Sequence, residues 1–582
     1  MILLLLSIFS CNDKGFLEEN PETFFTMDNV FTTKAQVDQA LVTLYSDHRN
    51  LSLQANEATF LWRGNGSDLL ERTYDLISIS FSNYSLVTPE HPAIRDLFNS
   101  FYRLINRANV VIRSADLPQI TWASESDKAY SIAQARFFRA LAYGNLAELW
   151  GGVSFVPEVD AIPKYDFKRE TRTTIYQFAI DELLAIEDAL PVTSNSGGRI
   201  QRGAAQHLLC ELYLALGIQL AADGKASEAQ MAYTNSINYG NKVIDAGTYS
   251  LMTSRFGTRR NETSVVIDVY NNGSFTPAAK ADTIQFTPNL YWDLFQEGNI
   301  NYQEGNRECI WAIQTDYPAF KTEDQNAKLG YARDYGPALR IWGSSLFNGT
   351  LEDVGGRGVI NQVPTFLWRE EIWANKWAAD MRNSEIVIRR RFKGNVPGTP
   401  WYLKVVPWSV IYNLSAPPAE QLIYLSYCYP ISCKISTDKF TGVEEGQNRS
   451  NLFRDDYAIR LPETILLRAE AKQRSGDKAG AASDVNLLRT RAQCTYLVTA
   501  ADMDDNFNLI LDERARELMY EEHRWNTLLR MGGTIAVDRI KQHMLWDENR
   551  ATLTRNFNLL PIPQSVIDAN FGNTIEQNPG WD

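Results

Sequence analysis

Two runs of small and apolar residues constrain what this chain can fold into. Ala133, Phe137, Ala140, Gly144 and Ala147 recur at intervals of four, three, four and three, and Ala205, Leu209, Leu212 and Leu216 repeat the rhythm. That spacing lines residues along one seam of an α-helix, and small residues on the seam let a second helix approach closely. Breaks at Gly151-Gly152, Pro163, Gly197-Gly198 and Asp223-Gly224 divide residues 33–250 into helices of ordinary length. Antiparallel helix pairs with Ala and aromatic residues at the contacts predict tetratricopeptide-like packing. The fold class expected is mostly α.

Residues 255–450 follow another pattern. Val265–Val269, Cys309–Ile313 and Glu385–Ile388 read as short β-strands, and the remainder is rich in Gly, Pro, Asn and aromatic residues. Eight of the 14 tryptophans fall between residues 292 and 408, far more than an even spread would place there. Helical signals return over 457–492 and 505–530, with Ser475-Gly476-Asp477 as a turn.

Charge and cysteine usage remove several function classes. The chain carries 57 Lys and Arg against 70 Asp and Glu, a formal net charge of −13, so the basic surface of a nucleic-acid binder is not expected. Past Cys11 there are five cysteines at irregular spacing, which do not form a disulfide framework. Cys428 and Cys433 could pair in an oxidising compartment or stay as thiols. No Cys-x-x-Cys occurs and none of the five histidines has zinc-ligand spacing, so neither a metal nor another cofactor is expected.

The N-terminus, Met1 to Ser10, is an apolar run far short of the ~20 residues that span a bilayer. Its length suits the hydrophobic region of a secretory signal. The small residue before Cys11 resembles a bacterial lipobox, in which Cys11 is lipidated and becomes the first residue of the mature protein. Two or three acyl chains anchor stably without a membrane-spanning helix.

A search for catalytic constellations finds no nucleophile elbow, phosphate loop or dinucleotide fingerprint. Asp68 and Glu71 could form a glycosidase pair, but such pairs are common among 70 acidic residues. Glu463, Glu470, Glu513, Arg514, Glu517 and Arg524 read as an inter-helix ion network rather than an acid–base site, because buried carboxylates find partners. What remains is the aromatic load. Trp presents a flat apolar face and a polar edge, which suits a sugar ring whose C–H bonds stack while its hydroxyls bond nearby polar groups. Core packing is the competing role for each, and Trp311, within a strand pattern, is assigned to it. Trp62 in Leu-Trp-Arg-Gly-Asn-Gly-Ser-Asp68 is the leading binding candidate, since loops carry binding residues. Trp342 and Trp368 follow, and Arg63 and Asp68 are expected to bond sugar hydroxyls.

The order of several blocks along the chain resembles the SusD/RagB family of outer-membrane nutrient-binding lipoproteins. The blocks are the lipobox with Phe16-Leu17 and Pro21-Glu22-Thr23, then Ile105-Asn106-Arg107-Ala108-Asn109. Ala135-Arg136-Phe137-Phe138-Arg139-Ala140 runs on to Leu149-Trp150-Gly151-Gly152. Arg460-Leu461-Pro462-Glu463, Asn486 to Ala492, Asp512 to Leu518, Leu560-Pro561-Ile562-Pro563 and Gln577-Asn578-Pro579-Gly580 complete the series. Pro462, Asn526 and Trp581 depart from the usual family residues at positions of helix packing. The resemblance implies a signal peptide and lipobox over 1–11 and one SusD-like domain over 12–582. Within it, a helical scaffold of tetratricopeptide-type pairs spans about 30–250 and 455–582, and a variable ligand-binding region spans about 255–450. It further implies a lipid-anchored protein on the outer membrane, facing the cell surface. The expected role is non-catalytic, passing a captured glycan to a SusC-like TonB-dependent transporter. A peptide-binding member of the family, a surface glycoside hydrolase and a helical-repeat adaptor are the alternatives.

Overall fold

The computed structural model describes residues 30–73, 81–159, 163–273, 277–322, 329–339, 346–348, 358–435, 438, 452–555 and 557–581. Among the described residues seven α-helices come first: α1 Lys34–Leu53, α2 Glu57–Arg63, α3 Pro92–Ala115, α4 Glu125–Trp150, α5 Arg172–Leu184, α6 Arg202–Ala222 and α7 Ala226–Ile244. Several of their starts carry side chains that satisfy otherwise orphaned backbone donors. Ser124 accepts from the Asp127 amide before α4, and Thr33 with Gln36 forms a capping box at α1.

Successive helices pack as antiparallel neighbours, α3 on α4, α5 on α6 and α6 on α7. The two seams read from the sequence meet each other. A Cβ on Gly144 in α4 would lie 2.8 Å from Leu212 Cδ2 in α6, so only glycine allows that approach without displacing the leucine. Helix α6 is apolar and long enough to cross a membrane, but two-thirds of its most apolar stretch is buried among α5, α7 and a later helix.

The middle begins with an antiparallel hairpin, β1 Val265–Tyr270 and β2 Lys280–Phe286. Strand β3 Cys309–Ile313 then pairs antiparallel with β4 Asp456–Arg460 at the entry to the C-terminal helices. The strand expected over Glu385–Ile388 is reduced to Ile388–Arg389, paired with Ile431–Ser432. Ser384 closes a turn onto the Val387 and Ile388 amides and removes the preceding residues from any ladder.

The chain ends with α8 Leu461–Arg474, α9 Lys478–Arg491, α10 Asn508–Leu518, α11 Arg524–Met531 and α12 Ile535–His543, with short helices beyond. Pro462 occupies the first turn of α8, where a missing N–H costs nothing. Asp477 caps α9 by accepting from the Gly480 amide, after a left-handed Gly476. Helix α8 packs on α7 and α9, so the terminal helices continue the opening stack. One hydrophobic cluster runs through both helical ends. A second fills the middle and takes in Phe60, Leu70 and Met519.

A buried ionic network joins the two bodies of structure. Glu517 on α10 takes Arg491 at 2.5 Å, Arg460 at 2.8 Å and Arg382 at 3.0 Å, all fully enclosed. Arg382 also meets Asp380 and Glu513, and Arg460 meets Glu308 and Glu521. On the neighbouring face Arg514 bonds Glu463 and Glu522, and Arg530 reaches Glu470. The network expected from sequence is present.

Burial alone would raise the carboxyls of Glu513 and Glu517, but the surrounding arginines outweigh it. Glu513 is held down at about 2 and Glu517 lower still. Each binds its proton more weakly folded than unfolded, so its contribution is complete above the ordinary value of 4.5 and is lost as pH falls below it. A thermal-unfolding series should therefore show the midpoint dropping steeply below about pH 4.5. Removing one member leaves uncompensated buried charge, so Glu517→Ala should cost about 3–5 kcal/mol in denaturant unfolding at pH 7.

Candidate functional site

The segment around Trp62 is a helix rather than a loop. Asn56 accepts from the Thr59 amide at 2.9 Å and starts α2, and Gly64 ends it with φ of +119°. Those two residues are the sequence signal for the helix. Because α2 packs against α1, α3 and α11, its side chains turn inward. Trp62 is 1% exposed. Its indole N–H donates to Asn526 Oδ1 at 3.0 Å and Asn145 Oδ1 at 3.2 Å, and its ring stacks on His523 at 3.5 Å. Arg63 is spent on the Ser52 and Tyr520 carbonyls and faces Asp456 at 3.7 Å.

Asp68 is buried between Arg524 and Arg539, each within 2.6 Å. Burial raises its carboxyl, but the two guanidiniums overcome that and hold it well below the ordinary range. Trp368 is buried edge-on to Tyr520 at 5.7 Å. The structure thus departs from the expected surface platform at Trp62, Arg63, Asp68 and Trp368: all four are buried, each held by its own contacts, so none presents a face to solvent. Trp342 and Cys11 lie outside the described residues. In the middle region the described tryptophans that reach solvent are Trp377, Trp401 and Trp408. Of these, Trp377 is clamped between Arg489 at 4.7 Å and Arg516 at 4.5 Å. Gly398 and Pro400 before Trp401, and Pro407 before Trp408, are the turn signals that could have singled out the other two.

Trp62 instead lines an inner cavity of about 60 Å³ shared with His48, Glu148, Glu211, Glu463 and His523. Ligand pockets measure about 300–1,000 Å³, so this space suits water rather than a sugar. Burial and the neighbouring Glu148 push the Glu211 carboxyl up to about 8, and burial raises Glu148 and Glu463 too. Burial lowers His48 and His207 to about 3, so both are neutral. Three carboxyls share this space, yet it has no room for a glycosidic bond.

An outer cleft of about 420 Å³ lies on the other side of one wall. That wall is His48 stacked on Trp311 at 4.6 Å and 17°. The cleft is bounded by Val42 and Tyr45 on α1, Gly197-Gly198-Arg199 before α6, and Gln314 after β3. A Cβ on Gly198 would lie 2.6 Å from Gln314 Cγ, and Gly198 has φ of +74°, so glycine lets this loop lie against the strand end. The break read at Gly197-Gly198 therefore shapes the cleft.

Arg199 sits over the Tyr45 ring at 5.1 Å. The Tyr45 hydroxyl donates to Gln134 at 2.6 Å and accepts from the Ile200 amide at 3.1 Å. An aromatic ring, a guanidinium and the Gln314 carboxamide thus converge on one space of ligand size. Tyr45, Arg199 and Gln314 were not singled out from sequence, because their convergence depends on contacts between segments more than a hundred residues apart.

Cys210, Cys309, Cys428 and Cys433 are buried free thiols, pushed up to about 12 by burial, and are chemically quiet. Among the described residues no group of three or more His, Cys, Asp or Glu side chains is arranged to hold a metal.

Two family models match the chain and together cover more than half of it. One described as "SusD family" matches residues 432–581, and one described as "Starch-binding associating with outer membrane" matches residues 15–214. A SusD-like protein P25 of Formosa agariphila is 22% identical over 98% of this chain and 96% of its own. A solved SusD homologue from Bacteroides thetaiotaomicron superposes with a TM-score of 0.67 at 16% identity, covering 95% of this chain and 98% of that one. A structure described as a laminarin-binding SusD-like protein gives 0.61 at 19% identity, covering 94% and 100%. These likenesses confirm the mostly helical, tetratricopeptide-like fold.

The buried tryptophans give a direct test. Trp62→Ala and Trp368→Ala should each destabilise the protein by about 3–5 kcal/mol, the range for emptying a buried aromatic site. Denaturant unfolding would measure it, and an unchanged midpoint would contradict their placement.

Proposed function

Because this chain belongs to the SusD/RagB family, we propose that it is an outer-membrane lipoprotein facing the cell surface, where it captures oligosaccharide or polysaccharide without cleaving it. Cys11 carries the lipid anchor, and the glycan passes to a SusC-like TonB-dependent transporter. The observation that carries this reading is the end-to-end likeness to SusD-like proteins. The outer cleft supports it, since its volume and its Tyr45, Arg199 and Gln314 lining suit a sugar ring with hydroxyls to bond. Trp342 keeps its place as a stacking candidate on sequence grounds. The hydrolase alternative loses support because Asp68 is locked between two arginines and the cavity that Glu148, Glu211 and Glu463 line is too small for a sugar.

Val42 is 48% exposed at the cleft, so Val42→Trp fills the space without disturbing the core. Val42→Trp and Arg199→Ala should each weaken glycan binding by about tenfold or more, equivalent to about 1.4 kcal/mol, with the unfolding midpoint unchanged. A glycan and peptide panel followed by calorimetry reads this. Affinity unmoved by both variants would reject the cleft, peptide binding alone would replace the ligand class, and released cleavage products would reject the non-catalytic role.

A further inference from the structure

The most exposed large apolar side chain among the described residues is Phe571, at 78%. It stacks on Tyr165, itself 45% exposed, with centroids 4.6 Å apart and planes 21° from parallel. Two exposed rings in contact would ordinarily be free to swing, but their backbones are sewn together. The Gly572 amide donates to the Tyr165 carbonyl at 2.7 Å. Asn570 accepts from the Phe167 amide and donates back to its carbonyl, both at 2.8 Å, and donates to the Asn573 carbonyl at 2.7 Å. A Cβ on Gly572 would lie 2.8 Å from the Tyr165 carbonyl oxygen, so glycine is needed for the clasp to close. The two backbone segments that carry the pair are thus tied to each other before anything binds.

Tyr165 forms one wall of a groove of about 420 Å³ that shares no residue with the cleft beside α1. Phe98, Tyr102 and Phe167 add aromatic surface, while Asn99, Ser154 and Ser565 bring polar side chains. Among the described residues those three side chains make no intramolecular hydrogen bond. Donors and acceptors without a partner in the fold, beside an exposed aromatic face, match a ring that is apolar on one side and hydroxylated at its edge. A purely apolar partner would leave them unsatisfied at a cost.

We infer that this groove is a second glycan-binding site, in which Tyr165, backed by Phe571, stacks on a pyranose unit while Asn99, Ser154 and Ser565 bond its hydroxyls. The inference rests on the glycan-capture reading and adds to it a second point of attachment on one polysaccharide chain.

The test uses the mature chain and a panel of α- and β-glucans, mannans, xylans and sulfated galactans, each as polysaccharide and as a short oligosaccharide. The double variant Y165A/F571A alters only exposed rings and should keep the unfolding midpoint. For a polysaccharide that binds, it should lose about tenfold or more in apparent affinity, because two linked contacts become one. Oligosaccharide stoichiometry should fall from two to one. Ser565→Ala with Asn99→Ala should weaken the same site without touching the rings, and Val42→Trp should leave it intact. Unchanged affinity and stoichiometry in both double variants would overturn the second site and leave the glycan reading standing. Failure of the unaltered protein to bind any member of the panel would overturn both. Unchanged glycan binding with loss of transporter co-purification in Y165A/F571A would overturn the sugar assignment in favour of protein docking.

Discussion

The convergence of Arg382, Arg460 and Arg491 on the single carboxylate of Glu517 holds the middle of the molecule to its helical ends. Arg382 comes from a turn in the middle, Arg460 from the strand that leads into α8, and Arg491 from the last turn of α9. Their partners Glu308 and Glu513 are equally enclosed, and Glu521 lies at the partly covered edge of the same cluster. Shifting one body against the other while they stay in contact would leave several charges buried without their partners. That cost makes the relative placement of scaffold and middle specific, whatever the net worth of each pair against an apolar substitute. The Lys434 ammonium extends the same logic by donating to the Glu517 carbonyl and to Glu521, both at 2.5 Å.

Around that junction the helical pairs need little more than periodicity. The seam through Gly144 and the seam through Leu212 are each visible in a window of some dozen residues, and the structure brings those two residues together. The ion network was legible for a similar reason, since Glu463, Glu513, Glu517 and Arg514 stand in helical segments where carboxylates at core positions require partners. What local sequence could not show is which carboxylate takes which arginine. Glu517 draws on Arg382, 135 positions away, as well as on Arg491, 26 away.

The tryptophans show where local reasoning stops. Trp62 stands in a segment rich in Gly, Asn and Ser, which invites a loop assignment, yet Asn56 and Gly64 mark the ends of a short helix. Its indole partner Asn526 lies 464 positions further on. Asn526, one of the departures from the family pattern, thus joins α11 to α2 and also donates to Glu148 at 2.7 Å. Composition told correctly that the middle is aromatic. It could not tell which rings are covered, because cover is supplied by segments hundreds of residues away.

The proposed capture and transfer set a limit on how tightly any one contact should hold. A stacked aromatic contributes about 0.5–1.5 kcal/mol beyond its buried area, enough to retain a sugar unit briefly and little enough to release it. One shallow site of that kind would hold a long chain poorly. The two proposed sites would act on the same polymer, so that the second contact would form at the high local concentration created by the first. Overall retention then grows as a product, while each contact keeps its own fast exchange. A chain held this way can be fed onward unit by unit without ever being wholly released. At both proposed sites the backbone is tied to a distant segment, by Asn570 and Gly572 at one and by the Gly198 loop against the end of β3 at the other, so the side chains that would meet the ligand are carried on linked supports.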